Sequence, residues 1–238
     1  MGLFSRNAPL STLFKGYVDC HCHILPGVDD GVSSAEDSLK ILSAYHDAGV
    51  SEVWLTPHVM EDCPNTPDAL RERFEYLKAL IDEKGVEVPS LHLAAENMMD
   101  GLFVERLSQA DVLTHFPRHL LVETSYYNPP FDLDDILRRV RSKGYFPILA
   151  HPERYLYMGG KDYERLKSDG VKFQLNLSSL VGFYGNTARK KALKLLSQGC
   201  YDYTGTDLHR YSMLEAYLEA QVDEKVLLKV QDVIDSYK

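Results

Sequence analysis

The stretch Ser33–His58, SSAEDSLKILSAYHDAGVSEVWLTPH, contains one complete unit of a pattern that recurs along the chain. Ser33 and Glu36 form a capping box, which predicts the start of a helix. Gly49 has the backbone freedom needed to end that helix in a left-handed conformation. The apolar run EVWLT then predicts a buried strand, and His58 stands just beyond it.

Further units of the same kind follow, each with a helix, a turn and a short strand. Thr66 and Pro67 predict the start of the next helix, and Gly85 predicts its end. Counting YVDCH at residues 17–21 as the first, we predict seven strands; the others are EVWLT, SLHLAAE, HLLVETS, YFPILAH, VKFQLNLSS and YDYTGTDLH. Alternating strands and helices are typical of parallel pairing with right-handed crossovers. The expected fold class is therefore α/β, as a closed barrel or an open doubly wound sheet.

Six of the seven predicted strands end in a histidine or a carboxylate. In chain order these residues are His21 and His23, His58, Glu96, Glu123, His151, and Asp207 with His209, and Asp30 lies in the first loop. The carboxyl ends of all strands converge on one mouth in a closed barrel, whereas in an open sheet only those at a switch point meet. We therefore predict a (β/α)7 barrel formed as a single domain by residues 17–238, after an N-terminal segment of residues 1–16.

These strand ends predict a metal site with more than one ion. His21 and His23 alternate along a strand, so their side chains share one face. Imidazole and carboxylate groups suit Mn, Fe, Zn and related divalent ions. Five histidines and four carboxylates exceed the needs of one ion, so two or three ions sharing carboxylates are expected. Helix capping is the alternative; it could explain Asp30 or Asp207, but it explains the strand-end histidines poorly.

Composition excludes several classes of protein. The chain has 238 residues, is 45% hydrophobic and carries a formal net charge of −9, which disfavours nucleic-acid binding. It has no signal-peptide pattern and no apolar run of about 18 residues, so we predict a cytoplasmic protein that does not insert into a membrane. None of the cysteines has an arginine six positions further on, which disfavours a thiolate-based phosphatase; they are Cys20, Cys22, Cys63 and Cys200.

Several motifs resemble those of a known family. They are DCHCHILPGVDDG at 19–31, TPH ending at His58, AAE ending at Glu96, HPERY at 151–155 and TDLH at 206–209. They resemble the polymerase-and-histidinol-phosphatase superfamily, and within it the metal-dependent tyrosine phosphatases of bacterial capsule and exopolysaccharide synthesis. The resemblance covers residues 17 to about 209. It implies a distorted seven-stranded barrel holding three divalent ions, with manganese expected first and Fe, Zn, Co or Mg as alternatives.

The resemblance distributes the nine ligand candidates over three ions. The implied sets are His21, His23, Glu123 and Asp207 for the first ion, Glu123, Glu96 and His151 for the second, and Asp30, His58 and His209 for the third. Asp19 would orient a ligand histidine through its other ring nitrogen. Asp29 is expected to be a loop residue, and a role as ligand stays open.

The family also uses arginines to hold the substrate phosphate. Arg154 matches one of them, and an ion pair with a neighbouring acid such as Glu153 is the alternative for this residue. Arg210 is the candidate for the second arginine, because the position usual in the family holds Met213 and Leu214 here. The alternative for Arg210 is a surface residue without a catalytic role.

The function implied by the resemblance is hydrolysis of phosphotyrosine by metal-activated water. The protein substrate would be a bacterial tyrosine kinase that controls capsular or exopolysaccharide synthesis. One alternative is a small-molecule phosphomonoester hydrolase of the histidinol-phosphatase type. Others are an amidohydrolase, which usually has eight strands, and a non-catalytic metal-bound scaffold of a polysaccharide assembly complex. The sequence leaves the oligomeric state open, and the remaining histidines are expected to be structural or exposed: His46, His92, His115 and His119.

Overall fold

The computed structural model describes residues 6–238, in which a curled parallel sheet is surrounded by helices. The strands are β1 (Asn7–Pro9), β2 (Val18–Cys22), β3 (Glu52–Leu55), β4 (His58–Val59), β5 (Ser90–Leu93), β6 (Glu96–Met98), β7 (His119–Glu123), β8 (Phe146–Ala150), β9 (Lys172–Asn176), β10 (Tyr203–Gly205) and β11 (Gln221–Asp223). The helices are α1 (Ala35–Asp47), α2 (Pro67–Lys84), α3 (Gly101–Gln109), α4 (Leu133–Ser142), α5 (Gly160–Ser168), α6 (Leu177–Leu180), α7 (Gly185–Ser197), α8 (Tyr211–Glu219) and α9 (Glu224–Tyr237). Within residues 6–238, no helix is both long and apolar enough to cross a bilayer.

The parallel strands form two sheets, β2-β3-β5 and β4-β6-β7-β8-β9-β10. The predicted strand SLHLAAE is interrupted and reaches from β5 to the start of β6. The predicted strand EVWLT corresponds to β3, and β4 follows it after a break. The His23 N–H donates to the Leu208 carbonyl at 2.9 Å and the Asp207 N–H to the His21 carbonyl at 2.8 Å, so the end of β10 returns to β2. The predicted α/β single-domain fold is confirmed, and a closed ring of seven strands stays a prediction.

The local signals place most helix boundaries correctly. Helix α1 begins one residue later than predicted, because Ser34 rather than Ser33 caps it, and the Ser34 hydroxyl accepts a hydrogen bond from the Asp37 N–H at 3.1 Å. Gly49 ends this helix with φ +89°, as expected. Thr66 caps α2 through its side chain, also as expected. Short-range capping chemistry therefore fixes these boundaries to within one residue.

The chain before β2 packs onto the main core. Strand β1 pairs with β11 in antiparallel fashion, and a 3₁₀ helix at Leu10–Phe14 follows it. Leu10 and Phe14 are completely buried, and the Phe14 ring stacks on Tyr17 with ring centroids 5.9 Å apart. Full burial of such side chains stabilises the fold by about 1.5–3 kcal/mol each. Division of the chain at residue 17 stays a prediction.

Asp19 joins β2 to the end of β10. Its carboxylate accepts hydrogen bonds from the Thr206 N–H at 2.9 Å, the Thr206 hydroxyl at 2.7 Å and the Tyr45 hydroxyl at 3.0 Å. Burial raises the pKa of Asp19 to about 6, although the hydrogen bonds from Thr206 and Tyr45 lower it. The prediction that Asp19 orients a ligand ring is wrong, because its partner in β2 is the backbone N–H of His21 rather than the imidazole.

A glycine allows β10 to approach β2 closely. A Cβ atom at Gly205 would lie 2.5 Å from the His21 Cβ and 2.8 Å from the Gln174 Nε2. Any larger residue would push these side chains apart. Gly205 thus permits the close packing that brings the His21 ring to the carboxyl ends of its neighbours.

Candidate metal centre

The carboxyl ends of the parallel strands surround a cavity of about 320 Å³. Eight of the predicted site residues line it: Asp30, His58, Glu96, His151, Arg154, Asp207, His209 and Arg210. The other three, His21, His23 and Glu123, are buried beside it and contact lining residues. The structure therefore brings every predicted site residue to one place.

The first cluster of ligand atoms lies at the end of β2. The Nε2 atoms of His21 and His23 face each other at 3.1 Å. Glu96 Oε2 is 3.2 Å from the first of these nitrogens and 3.3 Å from the second. Asp207 Oδ1 lies at 3.6 Å and 3.5 Å from the same two atoms. Two imidazole nitrogens that face each other and two carboxylates need a proton or a cation between them.

A second cluster shares Glu96 with the first. His58 Nδ1 is 3.1 Å from Glu96 Oε2 and 3.1 Å from Glu123 Oε1. His151 Nε2 is 3.0 Å from Glu96 Oε1 and 3.9 Å from Glu123 Oε2. Glu96 therefore lies next to the two β2 histidines, in the position that the resemblance implied for Glu123. The carboxylate of Glu96 is the one best placed to bridge two ions.

A third cluster lies at the entrance of the cavity. Asp30 Oδ1 is 3.5 Å from His58 Nε2 and 3.6 Å from His209 Nε2. Together with His23, these residues offer ligand atoms that all lie within 4.8 Å of one another. This grouping contains all three residues of the third implied set.

Unpaired polar atoms show that the centre fits divalent cations. In the described part of the chain, six buried side-chain polar atoms form no hydrogen bond of acceptable geometry, and three of them face the ligand clusters although they lie near one another: His58 Nδ1, Glu96 Oε2 and Glu123 Oε1. A buried polar atom without a partner costs about 1–3 kcal/mol. Coordination to a cation would remove that cost, and a donor set of imidazole and carboxylate suits Mn, Fe or Zn.

The charges of the centre are matched in pairs. Burial lowers the pKa of His21, but the Glu96 and Asp207 carboxylates outweigh burial and raise it to about 9. Burial likewise raises the pKa of Glu96, while His21 and His58 bring it well below its usual range. The two carboxylates thus favour a positive charge at His21, and divalent cations would supply positive charge at the same place.

Two residues outside the ligand set orient the β2 histidines. Asp29 Oδ2 lies 2.8 Å from His23 Nδ1 and also accepts the His58 backbone N–H at 3.0 Å. Gln174 Oε1 lies 3.0 Å from His21 Nδ1. Each contact turns the Nε2 atom of the ring toward the cluster. A role of Asp29 as ligand stayed open in the sequence, and Gln174 was not predicted. In β9, KFQLN, Gln174 alternates with Phe173 and Leu175.

Arg154 faces the cavity beside the ligand clusters. Its Nη1 donates to Asp207 Oδ2 at 2.7 Å, and its guanidinium carbon lies 4.4 Å and 3.8 Å from the ring centroids of Tyr126 and Tyr184. Arg154 is therefore in an ion pair, as the alternative expected, but its partner is Asp207 and not Glu153, whose carboxylate is turned into the core. There it accepts hydrogen bonds from the Asn176 N–H and the hydroxyls of Ser179 and Tyr201.

Two site residues hold a left-handed backbone conformation. His151 has φ +35° and Asp207 has φ +54°. Such conformations cost non-glycine residues about 1–3 kcal/mol and cluster at functional sites. Here they let each chain segment turn sharply after its strand while its side chain enters the cavity. Arg210 is exposed at the edge of the same cavity, just beyond the second of these turns.

Clustered histidines and carboxylates at the carboxyl ends of a parallel α/β sheet are typical of metal-dependent hydrolases. A family model described as "Capsular polysaccharide synthesis, CpsB/CapC" matches residues 17–225. The chain belongs to this CpsB/CapC family.

Individual relatives agree with this assignment. The chain is 29% identical over 199 residues to tyrosine-protein phosphatase YwqE of Bacillus subtilis, covering 81% of this chain and 77% of that protein. It is 25% identical over 224 residues to putative tyrosine-protein phosphatase CapC of Staphylococcus aureus, covering 92% and 88%. It is 25% identical over 215 residues to tyrosine-protein phosphatase CpsB of Streptococcus pneumoniae, covering 87% and 88%.

Solved structures support the fold. One match comes from a study of "YwqE from Bacillus subtilis and CpsB from Streptococcus pneumoniae, unique metal-dependent tyrosine phosphatases", with a TM-score of 0.75, 22% identity, and coverage of 93% of this chain and 95% of that one. A phosphotriesterase homology protein from Escherichia coli matches with a TM-score of 0.51, 13% identity, and coverage of 94% and 93%.

Proposed function

We propose that this protein is a metal-dependent protein-tyrosine phosphatase. The observation that carries the proposal is the convergence of nine imidazole and carboxylate groups with Arg154 on one cavity. The names of the relatives supply the substrate class, since YwqE and CpsB are tyrosine-protein phosphatases. The physiological substrate we propose is a tyrosine kinase of capsular polysaccharide synthesis, in line with the description of the family.

The nine ligand candidates would hold three divalent ions, with manganese our first expectation from the donor set. We assign His21, His23 and Asp207 to the first ion, and Glu123 and His151 to the second. Glu96 would be shared by these two ions. We assign Asp30, His58 and His209 to the third ion. Bound divalent cations supply a nucleophilic water near neutral pH and neutralise charge on phosphoryl oxygens. The seven-stranded barrel of the family would place all three sets at its mouth.

Residues of the chain hold the phosphate in place. Arg154 presents a charged, planar fork to the cavity, and such a fork matches two phosphoryl oxygens. The rings of Tyr126 and Tyr184 lie against the guanidinium and keep its plane fixed. Arg210, at the cavity edge, would add a second positive charge. Because phenolate leaves with a parent pKa near 10, the reaction needs less help from a proton donor than an alkyl ester does.

The four cysteines occur as free thiols, which suits the reducing conditions of the cytoplasm, where we place the protein. A kinase substrate would meet the phosphatase in the same compartment.

The decisive experiment compares substrates on metal-loaded wild-type protein. A phosphotyrosyl peptide and histidinol phosphate are offered side by side after chelation and re-addition of manganese. We expect higher kcat/KM with the peptide; preference for histidinol phosphate would assign the site to small phosphomonoesters, and no turnover of either would favour a scaffold. His151→Ala and Glu123→Ala should abolish turnover with the fold intact, while His46→Ala, far from the cavity, should not.

A further inference from the structure

Large apolar side chains are exposed around one side of the cavity. Among the described residues, nine large hydrophobic side chains are exposed, and five of them lie in the loops that follow β7, β8 and β9: Tyr127, Phe131, Leu156, Val181 and Phe183. We call these five the apolar rim. These strands are neighbours in one parallel sheet, so the three loops lie side by side at the carboxyl end.

The three loops touch one another and the cavity. The Leu156 N–H donates to the Tyr126 carbonyl at 2.8 Å, which joins the loops after β8 and β7. The Phe183 ring packs edge-on against Tyr184 with centroids 5.3 Å apart, and Phe183 itself lines the cavity. Phe183 therefore joins the apolar rim to the wall of the proposed phosphate site. Clustered exposed apolar residues of this kind mark interaction surfaces.

A basic helix lies next to the apolar rim. Helix α7 has the sequence GNTARKKALKLLS, with four cationic and no acidic residues, in a chain whose net charge is −9. Lys191 Nζ donates to the Tyr155 carbonyl at 2.6 Å, one residue before Leu156. Arg189 Nε donates to the Leu180 carbonyl at 3.0 Å, one residue before Val181. These two contacts fix the helix directly behind the rim.

The outer side of α7 has cations without acidic partners. Arg189, Lys190 and Lys194 are exposed. Over residues 6–238, none of these three forms an ion pair, whereas Arg138, for example, pairs with Asp135 on the surface of α4. We call them the basic face. Exposed, unpaired cations in an acidic protein favour an anionic partner.

We propose that the apolar rim and the basic face bind the polypeptide that flanks the phosphotyrosine, selecting large apolar residues next to it and acidic residues farther along the chain. This proposal rests on the proposed function. It concerns the residues of the substrate on either side of the phosphotyrosine, which do not enter the cavity. At 1.5 Å per residue, the helix places Lys194 about 14 Å from Gly185, so the surface spans several residues of extended peptide. A small phosphomonoester would not reach it.

Two other occupants fit the charges less well. An anionic bilayer is a broad surface and would also face the acidic remainder of a chain of net charge −9. A second copy of the chain would bring the same net charge of −9 close to it. An extended peptide avoids both problems, because only its few residues need to complement the surface.

The test uses metal-loaded protein and two matched pairs of variants. The rim variant carries Phe131→Ser and Leu156→Ser, and its control carries Phe146→Ser and Leu228→Ser, a phenylalanine and a leucine exposed elsewhere. The charge variant carries Lys190→Glu and Lys194→Glu on α7. Its control carries Lys225→Glu and Lys229→Glu, which have the same spacing on α9 and are equally exposed.

Three substrates separate docking from chemistry. They are para-nitrophenyl phosphate, a phosphotyrosyl peptide with flanking leucine, phenylalanine and glutamate, and the same peptide with serine and lysine at those positions. We expect each test variant to lose about tenfold in kcat/KM on the first peptide, mainly through KM. Para-nitrophenyl phosphate should be hydrolysed at the wild-type rate, and the control variants should behave as wild type. The charge variant should also lose the salt dependence of peptide turnover.

Each other result contradicts the proposal. If kcat/KM on para-nitrophenyl phosphate fell as much as kcat/KM on the peptide, the rim would serve folding or catalysis rather than peptide binding. If kcat/KM on the peptide did not fall, the rim would have no part in substrate binding. A rim variant that loses binding to phosphatidylserine vesicles with unchanged peptide turnover would assign the surface to membranes. A change of mass in sedimentation would assign it to a second copy. Absence of wild-type activity on both peptides would contradict the proposed function itself, which this scheme therefore tests separately.

Discussion

Histidines occupy both ends of the parallel strands, in opposite surroundings. At the carboxyl ends their rings face buried carboxylates, and Glu96 alone lies within 3.3 Å of four of them. At the other end they face aromatic rings: Trp54 stacks between His92 and His115, with centroid distances of 4.6 Å and 4.3 Å. The Nε2 atom of His115 hydrogen-bonds to a backbone carbonyl, that of Cys20, at 2.8 Å, and not to a carboxylate.

The same side chain has opposite acid–base properties at the two ends. The carboxylates around His21 overcome burial and raise its pKa to about 9. Burial, with smaller contributions from the nearby histidines His21, His119 and His92, lowers the pKa of His115 to about 3. The comparison shows that burial alone gives a neutral, structural histidine, whereas burial beside carboxylates gives a site that holds positive charge.

The largest expected effect comes from removing the shared carboxylate of the metal centre. Glu96→Gln keeps the shape but removes the charge that faces the histidines, so we expect turnover below about one-thousandth of wild type and loss of bound metal. Phosphotyrosyl-peptide kinetics and elemental analysis measure this. Glu52→Gln is the matched control, because Glu52 lies 3.0 Å from His92 at the other end. Comparable losses in both variants would contradict the contrast between the ends.

A smaller effect is expected from the residues that orient the ligand rings. Asp29→Asn weakens the contact to His23, and Gln174→Ala removes the contact to His21. We expect each to reduce manganese affinity about 10- to 100-fold, because outer partners of ligand histidines contribute that much in other metal sites. Competition with a chelator at fixed pH gives the affinity. Unchanged affinity in both variants would show that the rings are held by packing alone.

Arg154→Lys sharpens the assignment of the phosphate site. A lysine keeps the charge but loses the planar fork and its stacking between Tyr126 and Tyr184. We expect KM to rise about tenfold for both phosphotyrosyl peptide and para-nitrophenyl phosphate, since the phosphate is common to them. Arg73→Lys is the control, because Arg73 lies over the Tyr76 ring on the distant helix α2. A KM equal to wild type would remove Arg154 from substrate binding.

The smallest effect concerns the stability of the opposite end. His115 has its pKa lowered from 6.5 to about 3 by burial, so the unfolded chain binds a proton in this range and the folded chain does not. The contribution of the neutral His115 ring to the free energy of unfolding is therefore fully present above pH 6.5 and is lost as the pH falls toward 3.

Denaturant unfolding between pH 7 and 5, with chelator present throughout, tests this contribution. As the pH is lowered, the free energy of unfolding of wild type should fall more steeply than that of His115→Gln, by up to about 1.4 kcal/mol per pH unit. His46→Gln, on the surface of α1, serves as control and should follow wild type. Parallel stability curves for wild type and His115→Gln would contradict the assignment of a neutral, buried ring.

Local signals in the sequence predicted much of this molecule. Alternating strands and capped helices gave the α/β class, and the polar residue that closes each strand gave the ligand candidates. Both depend on spacing along the chain, which sequence displays directly. The same reasoning correctly set His46, His92, His115 and His119 apart from the site.

Other features depend on distances between remote segments. The breaks between β3 and β4 and between β5 and β6 decide that Glu96, and not Glu123, reaches the β2 histidines. The contact between β2 and β10 likewise decides that Asp19 bonds to Thr206 and that Gln174 reaches His21. The sequence by itself determined which side chains the strand ends present; only the tertiary structure decided which of them touch, because the bend and twist of the sheet fix those distances.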